Sequence, residues 1–208
     1  MKLNLQFFGG RGTPSASFKQ NSLAGIRQGK EATPEEAVQN VNAERYNDSW
    51  TYRQNCQRCV WAYEMQRRGY DVEALPTYKG DDLPSNGNWL GIIDGTVTRK
   101  YIAADVWAGQ KNTIKTEVAN ATNIMQGWGE GSRGIVRVAW GSRNGHVFNV
   151  EYKNGKITAY DAQNGKTYTN FAEALKGTKR GYAQIVRTDN VTFKTSEVSK
   201  YVKERGKK

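Results

Sequence analysis

The chain is poor in the side chains that bind metals and in those that form disulfides. Its 208 residues include one histidine, His146, and two cysteines, Cys56 and Cys59. A structural zinc site needs four ligands, and one Cys-x-x-Cys pair with a single histidine supplies only three. A disulfide between such close neighbours would stabilise little, and no secretion signal is visible. The sequence therefore predicts no metal, no organic cofactor and no disulfide.

Long hydrophobic runs are also lacking. No apolar segment of the chain approaches the roughly 20 residues that a membrane-spanning helix needs. Hydrophobic residues make up 37% of the chain and aromatic residues 11%, which is enough to build the core of one domain. We therefore predict a protein without a membrane span that is made in the cytoplasm. Carriage in a phage particle and delivery into a target cell are left open.

Acidic residues are few towards the end of the chain. The formal net charge is +11, and residues 174–208 hold ten Lys or Arg against three Asp or Glu. Residues 199–208 read as a solvated basic tail. Nucleic acid is an unlikely partner, because no stacking aromatic or recognition motif accompanies the charge. Residues 1–32, which are rich in small and polar side chains, are predicted to be a flexible arm, and residues 33–198 a folded domain.

The two cysteines lie at the start of a predicted helix over residues 56–68. Asn55 is a suitable N-cap residue, and Gly69 suits the position after the helix end. Cys56 falls in the first turn, where the helix dipole and unpaired N–H groups stabilise a thiolate and can hold an oxyanion. Cys59 lies one turn deeper and is predicted to be core. A redox pair and two inert buried cysteines remain alternatives.

A hairpin is predicted around Asn154-Gly155, because both turn positions favour residues that accept positive φ. With these two residues as the loop, facing positions sum to 309, and His146 and Asp161 lie on one face as diagonal neighbours. That face is the more apolar, so it is predicted to be buried. A carboxylate beside the imidazole would orient and polarise it. A core histidine with a satisfied hydrogen bond is the alternative.

The remaining pattern alternates between helices and strands. Helices are predicted to begin at Thr33-Pro34 and run to about residue 46, and to span residues 111–126 and 170–175. Strands are predicted over residues 134–140, pairing antiparallel with the His146 strand, and over 182–187. The fold class is therefore α+β: a helical half presents Cys56, an antiparallel sheet presents His146 and Asp161, and a cleft lies between them.

Cysteine at a helix start, then histidine and aspartate on successive strands, is the papain-like order. The segments NCQRCVWAYEMQRRGYDVEALP, GSRGIVRVAWGSRNGHVFNVEYKNGKITAYDAQNGK and IVRTDN resemble the papain-fold toxin domains assigned as glutamine deamidases, over about residues 46–190. The resemblance implies a papain-like catalytic domain with nucleophile Cys56, base His146 and orienting Asp161. Asn55 and Gln163 also match, as candidates for oxyanion or substrate binding. Ala162 departs from the family, where proline is frequent.

A Cys-His-Asp site performs acyl transfer through a thioester. Attack on a glutamine side chain releases ammonia, attack on a main-chain amide is proteolysis, and an amine in place of water gives transglutamination. The resemblance favours deamidation of a protein with an accessible glutamine, and it implies a toxin or effector. Papain-like protease and transglutaminase are the alternatives within the same chemistry.

The opening residues MKLNLQFFGGRG resemble the start of head-associated proteins of phages of Gram-positive bacteria. This second resemblance keeps a different class open, a non-catalytic structural or binding protein of a phage head. Beyond the protein substrate, the partners considered are therefore a phage head and a cognate inhibitor (immunity) protein.

Overall fold

The computed structural model describes residues 23–26, 28–78, 88–103, 109–141 and 144–206. In these ranges the α-helices are α1 (Pro34–Asn40), α2 (Cys56–Gln66), α3 (Ile114–Trp128), α4 (Phe171–Ala174) and α5 (Thr195–Val198). Four 3-10 helices occupy Leu23–Gly25, Ala43–Arg45, Trp50–Arg53 and Asn88–Leu90. The strands are β1 (Val72–Ala74), β2 (Ile93–Asp94), β3 (Arg99–Tyr101), β4 (Arg133–Ala139), β5 (Gly145–Lys153), β6 (Lys156–Asp161), β7 (Lys166–Tyr168), β8 (Gln184–Arg187), β9 (Thr192–Phe193) and β10 (Val202–Glu204). The α+β class is confirmed.

Six strands form one antiparallel sheet in the order β3-β8-β4-β5-β6-β7. The β5–β6 turn is the predicted one, with φ of 52° at Asn154 and 73° at Gly155. Lys153 lies opposite Lys156, so the predicted register of the hairpin is confirmed. β4 pairs antiparallel with β5, as expected. Two further pairs, β1 with β10 and β2 with β9, lie outside this sheet.

Both faces of the large sheet are buried, whereas we predicted burial of the His146 face alone. Phe148, Val150 and Ala159 on that face pack in a core cluster with residues of α3 and α4. Val147 and Tyr160 on the opposite face belong to a second cluster, which contains most of α2. The prediction was wrong because polar residues on the second face are satisfied inside the fold. The amide of Asn149, for example, donates to the carbonyl of Val60 in α2 at 3.0 Å.

A buried ion cluster joins α2 to the sheet. Glu64 of α2 is fully buried and accepts from Arg68 at 2.7 Å and from Arg133 of β4 at 2.8 Å. The hydroxyl of Thr188 donates to the same carboxylate at 3.1 Å. Burial opposes ionisation of Glu64, but the two guanidinium groups outweigh it and lower its pKa to about 2. The cluster therefore fixes α2 against β4, because moving them apart would leave buried charges unpaired at a large cost in free energy.

Local capping decides where the helices begin and end. α1 begins as predicted, with Thr33 as the N-cap of a capping box that Glu36 completes, but it ends at Asn40 rather than near residue 46. α3 begins after the capping residue Thr113 and continues to Trp128, where Gly129 ends it with a φ of 99°. α4 and β8 lie inside the predicted segments 170–175 and 182–187. α2 ends at Gln66, two residues before the predicted end.

Both terminal segments contain buried residues where the structure describes them. Leu23 and Ile26 are buried in the α2 core cluster, within the segment that was expected to be a flexible arm. Tyr201 and Val202 are buried in the predicted basic tail, and β10 pairs with β1. These apolar residues belong to no periodic pattern, so their burial could not be predicted from the sequence. The phage-like leader and the rest of the arm, residues 1–22, lie outside the described residues.

Candidate active site

The start of α2 and the start of β5 meet at the rim of the sheet. Cys56 is the first residue of α2 and is partly exposed, whereas Cys59, one turn deeper, is buried as predicted. His146 is the second residue of β5. A Cβ at the preceding Gly145 would lie 2.6 Å from the carbonyl oxygen of Val138, so only glycine allows β5 to begin this close to β4. Close packing of β5 on β4 therefore requires a glycine directly before His146.

The imidazole of His146 contacts both other predicted site residues. Its Nε2 lies 2.9 Å from Oδ2 of Asp161, and the exposed fractions of the two side chains are 10% and 8%. Burial disfavours the imidazolium, but hydrogen bonds to Asp161 and to the thiol of Cys56 outweigh it and raise the pKa of His146 to about 10. The structure thus brings Cys56, His146 and Asp161 together, with the histidine in the middle.

The carboxylate of Asp161 is held by its own turn. The backbone N–H of Gln163 donates to Oδ1 at 3.3 Å, and the side-chain amide of Asn164 donates to Oδ2 at 2.8 Å. The backbone N–H of Gly165 donates to the carbonyl of Asp161 at 2.9 Å. These donors fix the carboxylate so that Oδ2 faces the imidazole. The hydrogen bond from Asn164 was not predicted, although Asn164 lies only three residues after Asp161.

Aromatic rings enclose the imidazole. Trp140 stacks on it, with the ring centroids 5.4 Å apart and the planes inclined by 13°. Phe148 lies on the same face of the sheet, with its ring centroid 6.1 Å from that of His146. The strand alternation placed Trp140 beside Val138, but it gave no reason to expect an exposed indole on the histidine. These contacts leave the ring little access to water.

Asn55 and Gln163 form a buried amide cluster behind the site. The amide nitrogen of Asn55 donates to the side chain of Asn42 at 2.7 Å and to the carbonyl of Leu75 at 3.0 Å. The amide of Gln163 donates to Oδ1 of Asn55 at 3.4 Å, and the thiol of Cys59 donates to the same oxygen at 3.2 Å. Both amide hydrogens of Asn55 are therefore used inside the protein, and its side chain does not cap α2.

This geometry does not support an oxyanion-binding role for the side chain of Asn55. Gln163 is buried too, and its backbone carbonyl accepts from the side-chain amide of Asn42 at 2.6 Å. The two residues instead connect the start of α2 to the end of β6. Asn42, which links them, lies far from both in sequence and carried no signal that could have identified it.

A cavity of about 430 Å³ opens beside the imidazole, where the predicted cleft was expected. It lies between the sheet rim, α4 and the segment that precedes α2. Cys56 is not among the residues that line it. The residues around the cavity are Tyr46, Arg53, Gln54, Val138, Trp140, His146, Phe148, Asp161, Gln163, Asn164, Tyr168, Glu173, Ala174 and Lys176.

Neither a metal cluster nor a membrane helix is found in the described ranges. No three or more His, Cys, Asp or Glu side chains in these ranges are grouped so that they could hold a metal ion. No helix within them is both long and apolar enough to cross a bilayer.

Comparison with known proteins identifies the family. No curated protein and no solved structure was found to match the chain. The family model described as papain fold toxin 1, glutamine deamidase, matches residues 54–166, more than half of the chain, from just before the α2 cysteines to just beyond the Asp161 turn. The chain belongs to the papain-fold toxin family of glutamine deamidases.

Proposed function

We propose that the protein hydrolyses the side-chain amide of glutamine residues in a target protein, with Cys56 as nucleophile, His146 as acid and base, and Asp161 as the residue that orients the imidazole. The observation that carries this proposal is the position of His146 between the other two side chains. A structural hairpin needs neither a thiol nor a carboxylate on its only histidine. The family to which the chain belongs favours glutamine as substrate.

The first half of the reaction forms a thioester. Asp161 accepts the hydrogen of Nε2, so Nδ1 is the nitrogen that holds the proton given up by the Cys56 thiol, and the raised pKa of His146 favours this thiolate–imidazolium pair at neutral pH. The thiolate attacks the carboxamide carbon of glutamine and the carbonyl becomes an oxyanion. When the tetrahedral intermediate collapses, the C–N bond breaks, and the imidazolium gives its proton to the departing nitrogen, which leaves as ammonia.

The second half restores the enzyme. His146 takes a proton from water, and the hydroxide formed attacks the thioester carbon. The C–S bond then breaks, the substrate keeps a glutamate carboxyl group, and the Cys56 sulfur leaves as a thiolate beside the imidazolium, which restores the starting pair. The sum is one amide and one water converted to one carboxylic acid and one ammonia.

The oxyanion needs donors other than Asn55. Cys56 begins α2, so its backbone N–H belongs to the positive end of the helix dipole. Gln54 lies two residues before Cys56 and lines the cavity beside His146, and we assign its side-chain amide as the second donor. The amide cluster of Asn42, Asn55 and Gln163 acts through position, because it fixes the start of α2 relative to the Asp161 turn.

Ammonia release from benzyloxycarbonyl-glutaminyl-glycine and from casein tests the proposal. The protein should release ammonia from both, and intact-mass analysis should show amide groups of casein replaced by acid without chain cleavage. Cys56→Ala should abolish the reaction, and Cys59→Ala, checked for folding by circular dichroism, should retain it. Cleavage of casein would establish a protease, and coupling of a supplied primary amine in preference to water would establish a transglutaminase.

A further inference from the structure

A loop beside the active site is held in place by hydrogen bonds to a buried carboxylate. Residues 176–182, Lys-Gly-Thr-Lys-Arg-Gly-Tyr, connect the end of α4 to β8, and we call them the basic loop. Glu117 of α3 is completely buried beneath it and accepts from the side chain of Arg180 and, at 2.7 Å, from the backbone N–H of Gly181. The charge of Arg180 is therefore neutralised internally, and this residue serves to anchor the loop.

Further bonds fix the path of the basic loop. The guanidinium of Arg180 also donates to the carbonyl oxygens of Leu175 and Thr178, at 2.6 and 2.7 Å. The backbone N–H of Lys179 donates to the carbonyl of Ala139, the last residue of β4, at 2.6 Å. A surface that is ordered before binding loses little conformational entropy when a partner binds to it.

The side chains that this framework presents to solvent are basic and aromatic. Nζ of Lys179 lies 4.0 Å from the ring centroid of Tyr182, and Tyr182 is 48% exposed. Trp140, which directly follows the carbonyl bonded by Lys179, is 54% exposed. Aromatic residues of this exposure are characteristic of the centre of protein interfaces, where they bury large areas with few rotatable bonds.

This surface is continuous with the active site. Trp140 stacks on His146, and both Trp140 and Lys176 line the cavity beside the imidazole. A glutamine that reacts at Cys56 must reach His146, so the substrate chain that carries it lies beside Trp140 and the adjoining basic loop.

The charges around the cavity leave a positive excess. Lys176 is paired with Glu173 at 2.7 Å, and Asp161 is hydrogen-bonded to His146, so neither carboxylate is available to the remaining cations. Arg53, which also lines the cavity, and Lys179 form no ion pair with a carboxylate among the residues that the structure describes. Because the whole chain carries a net charge of +11, the surrounding field reinforces this local excess.

We propose that the basic loop and Trp140 bind an acidic segment of the substrate protein, which places a nearby glutamine at Cys56. The proposal rests on the deamidase function above and adds the class of sequence that surrounds the target glutamine. Lys179 attracts the acidic side chains, and Trp140 and Tyr182 cover the apolar parts of the bound segment. Opposite charge on substrate and enzyme acts mainly on the rate of productive encounter.

Two synthetic peptides of equal length test this inference, each with a central glutamine, one flanked by glutamates and one by lysines. At low ionic strength the glutamate peptide should be deamidated with a kcat/KM about tenfold higher or more, since steering of opposite charges is strongest there. Near 1 M salt the Debye length falls to about 3 Å, and the preference should largely disappear.

Lys179→Glu should remove the preference for the acidic peptide. Lys153→Glu makes the same change of charge at the far end of β5, about 23 Å from His146 at roughly 3.3 Å per residue, and should keep it. Equal rates on the two peptides, or a preference that survives Lys179→Glu, would overturn the inference. If, in addition, the protein bound a DNA oligonucleotide and Lys179→Glu abolished that binding, the surface would serve nucleic acid instead.

The deamidase function is judged separately from this preference. If the protein releases ammonia from neither peptide nor from benzyloxycarbonyl-glutaminyl-glycine, the proposed function itself fails. Ammonia release without a charge preference overturns only the assignment of the docking surface.

Discussion

The indole of Trp140 lies flat on the imidazole of His146, with 5.4 Å between the ring centroids. A cation over an aromatic face is stabilised by about 0.5–1 kcal/mol at partly exposed sites. The contact therefore favours the imidazolium and shields its hydrogen bond to Asp161 from water. Trp140→Ala should lower the pKa of His146 from its value of about 10 and reduce turnover about two- to fivefold.

His146 is the only histidine of the chain, so the imidazole signals in an NMR titration can be assigned to it without ambiguity. Trp140→Phe keeps an aromatic face and should titrate close to wild type. The folded protein should hold the proton that an unfolded histidine loses near pH 6.5, so this contribution to stability is present below pH 6.5 and lost as pH rises to about 10. An unperturbed titration near pH 6.5 would contradict the described geometry.

Cys56 should be the reactive thiol. It is partly exposed at the start of α2, whereas Cys59 is buried, and burial raises the pKa of the Cys59 thiol well above its ordinary value. Iodoacetamide at neutral pH should label Cys56 in the folded protein and Cys59 only after denaturation, as peptide mass mapping would show. If Cys59 were labelled before Cys56, Cys56 would not be the reactive thiol.

Leu23 should contribute to stability although it lies in the segment that the sequence marked as an arm. Its side chain is buried in the core cluster that contains α2. Leu23→Ala should therefore lower the free energy of unfolding by about 2–5 kcal/mol, the range for truncating a buried leucine. Urea unfolding measures the loss, and the exposed Lys30→Ala is the control, expected to stay within about 0.5 kcal/mol of wild type. An unchanged midpoint in Leu23→Ala would mean that the segment does not pack as described.

Glu64 should control acid stability. Its pKa is lowered from 4.5 to about 2 in the folded state, so its contribution is present above pH 4.5 and lost as pH falls through about 2. Glu64→Gln leaves Arg68 and Arg133 buried without their carboxylate and should cost about 3–5 kcal/mol at neutral pH. Urea unfolding at pH 7 and at pH 3 should show that the difference between variant and wild type narrows in acid.

The comparison for Glu64 is Glu197→Gln, which removes an exposed ion pair with Lys200 at 2.8 Å. Such pairs contribute about 0–1 kcal/mol, so this variant should unfold close to wild type. A Glu64→Gln variant as stable as the Glu197 control would show that the buried cluster contributes nothing net.

The parts of the site that could be predicted are those fixed by local chemistry. Asn154-Gly155 sets the hairpin register through backbone conformation alone, and this placed His146 and Asp161 on one face. The start of α2 followed from the residues around Cys56. The contact between Cys56 and His146 was suggested by chain order and family resemblance, since nothing local to either residue encodes it.

The parts that were missed depend on contacts between distant segments. Nothing in the sequence near Glu64 or Arg133 indicates that these charged residues are buried. They form an ion pair inside the core only because α2 packs on β4. Burial of both sheet faces follows from the same packing, as does the role of Asn42. A hydrophobic pattern reports contrast between core and solvent, so it is uninformative where polar side chains are buried in pairs.

Asp161→Asn should keep the fold and lose most activity. The carboxylate accepts from Gln163 through Oδ1, and from Asn164 and His146 through Oδ2. An asparagine must place its NH₂ group against one of these donor sets, so one hydrogen bond is lost if the NH₂ group faces Gln163 and two are lost if it faces Asn164 and His146. The loss of about 1–3 kcal/mol of stability that this entails is tolerable for a domain, and circular dichroism should show a folded protein.

The effect on catalysis is larger because two functions of the carboxylate weaken together. An amide carries no charge to stabilise the imidazolium beside the thiolate, and it selects the Nε2–H tautomer only when its oxygen faces His146. In triads of this kind such a change can cost on the order of 10⁴ in turnover. A Cys-His pair already ionised by the helix terminus would lose less. Asn164→Ala is the matched variant: it removes one support of Asp161 but keeps the charge, so ammonia release should fall only modestly. Near wild-type ammonia release from folded Asp161→Asn would show that Asp161 is a structural neighbour, and Gln163 would then be the first residue to test for the orienting role.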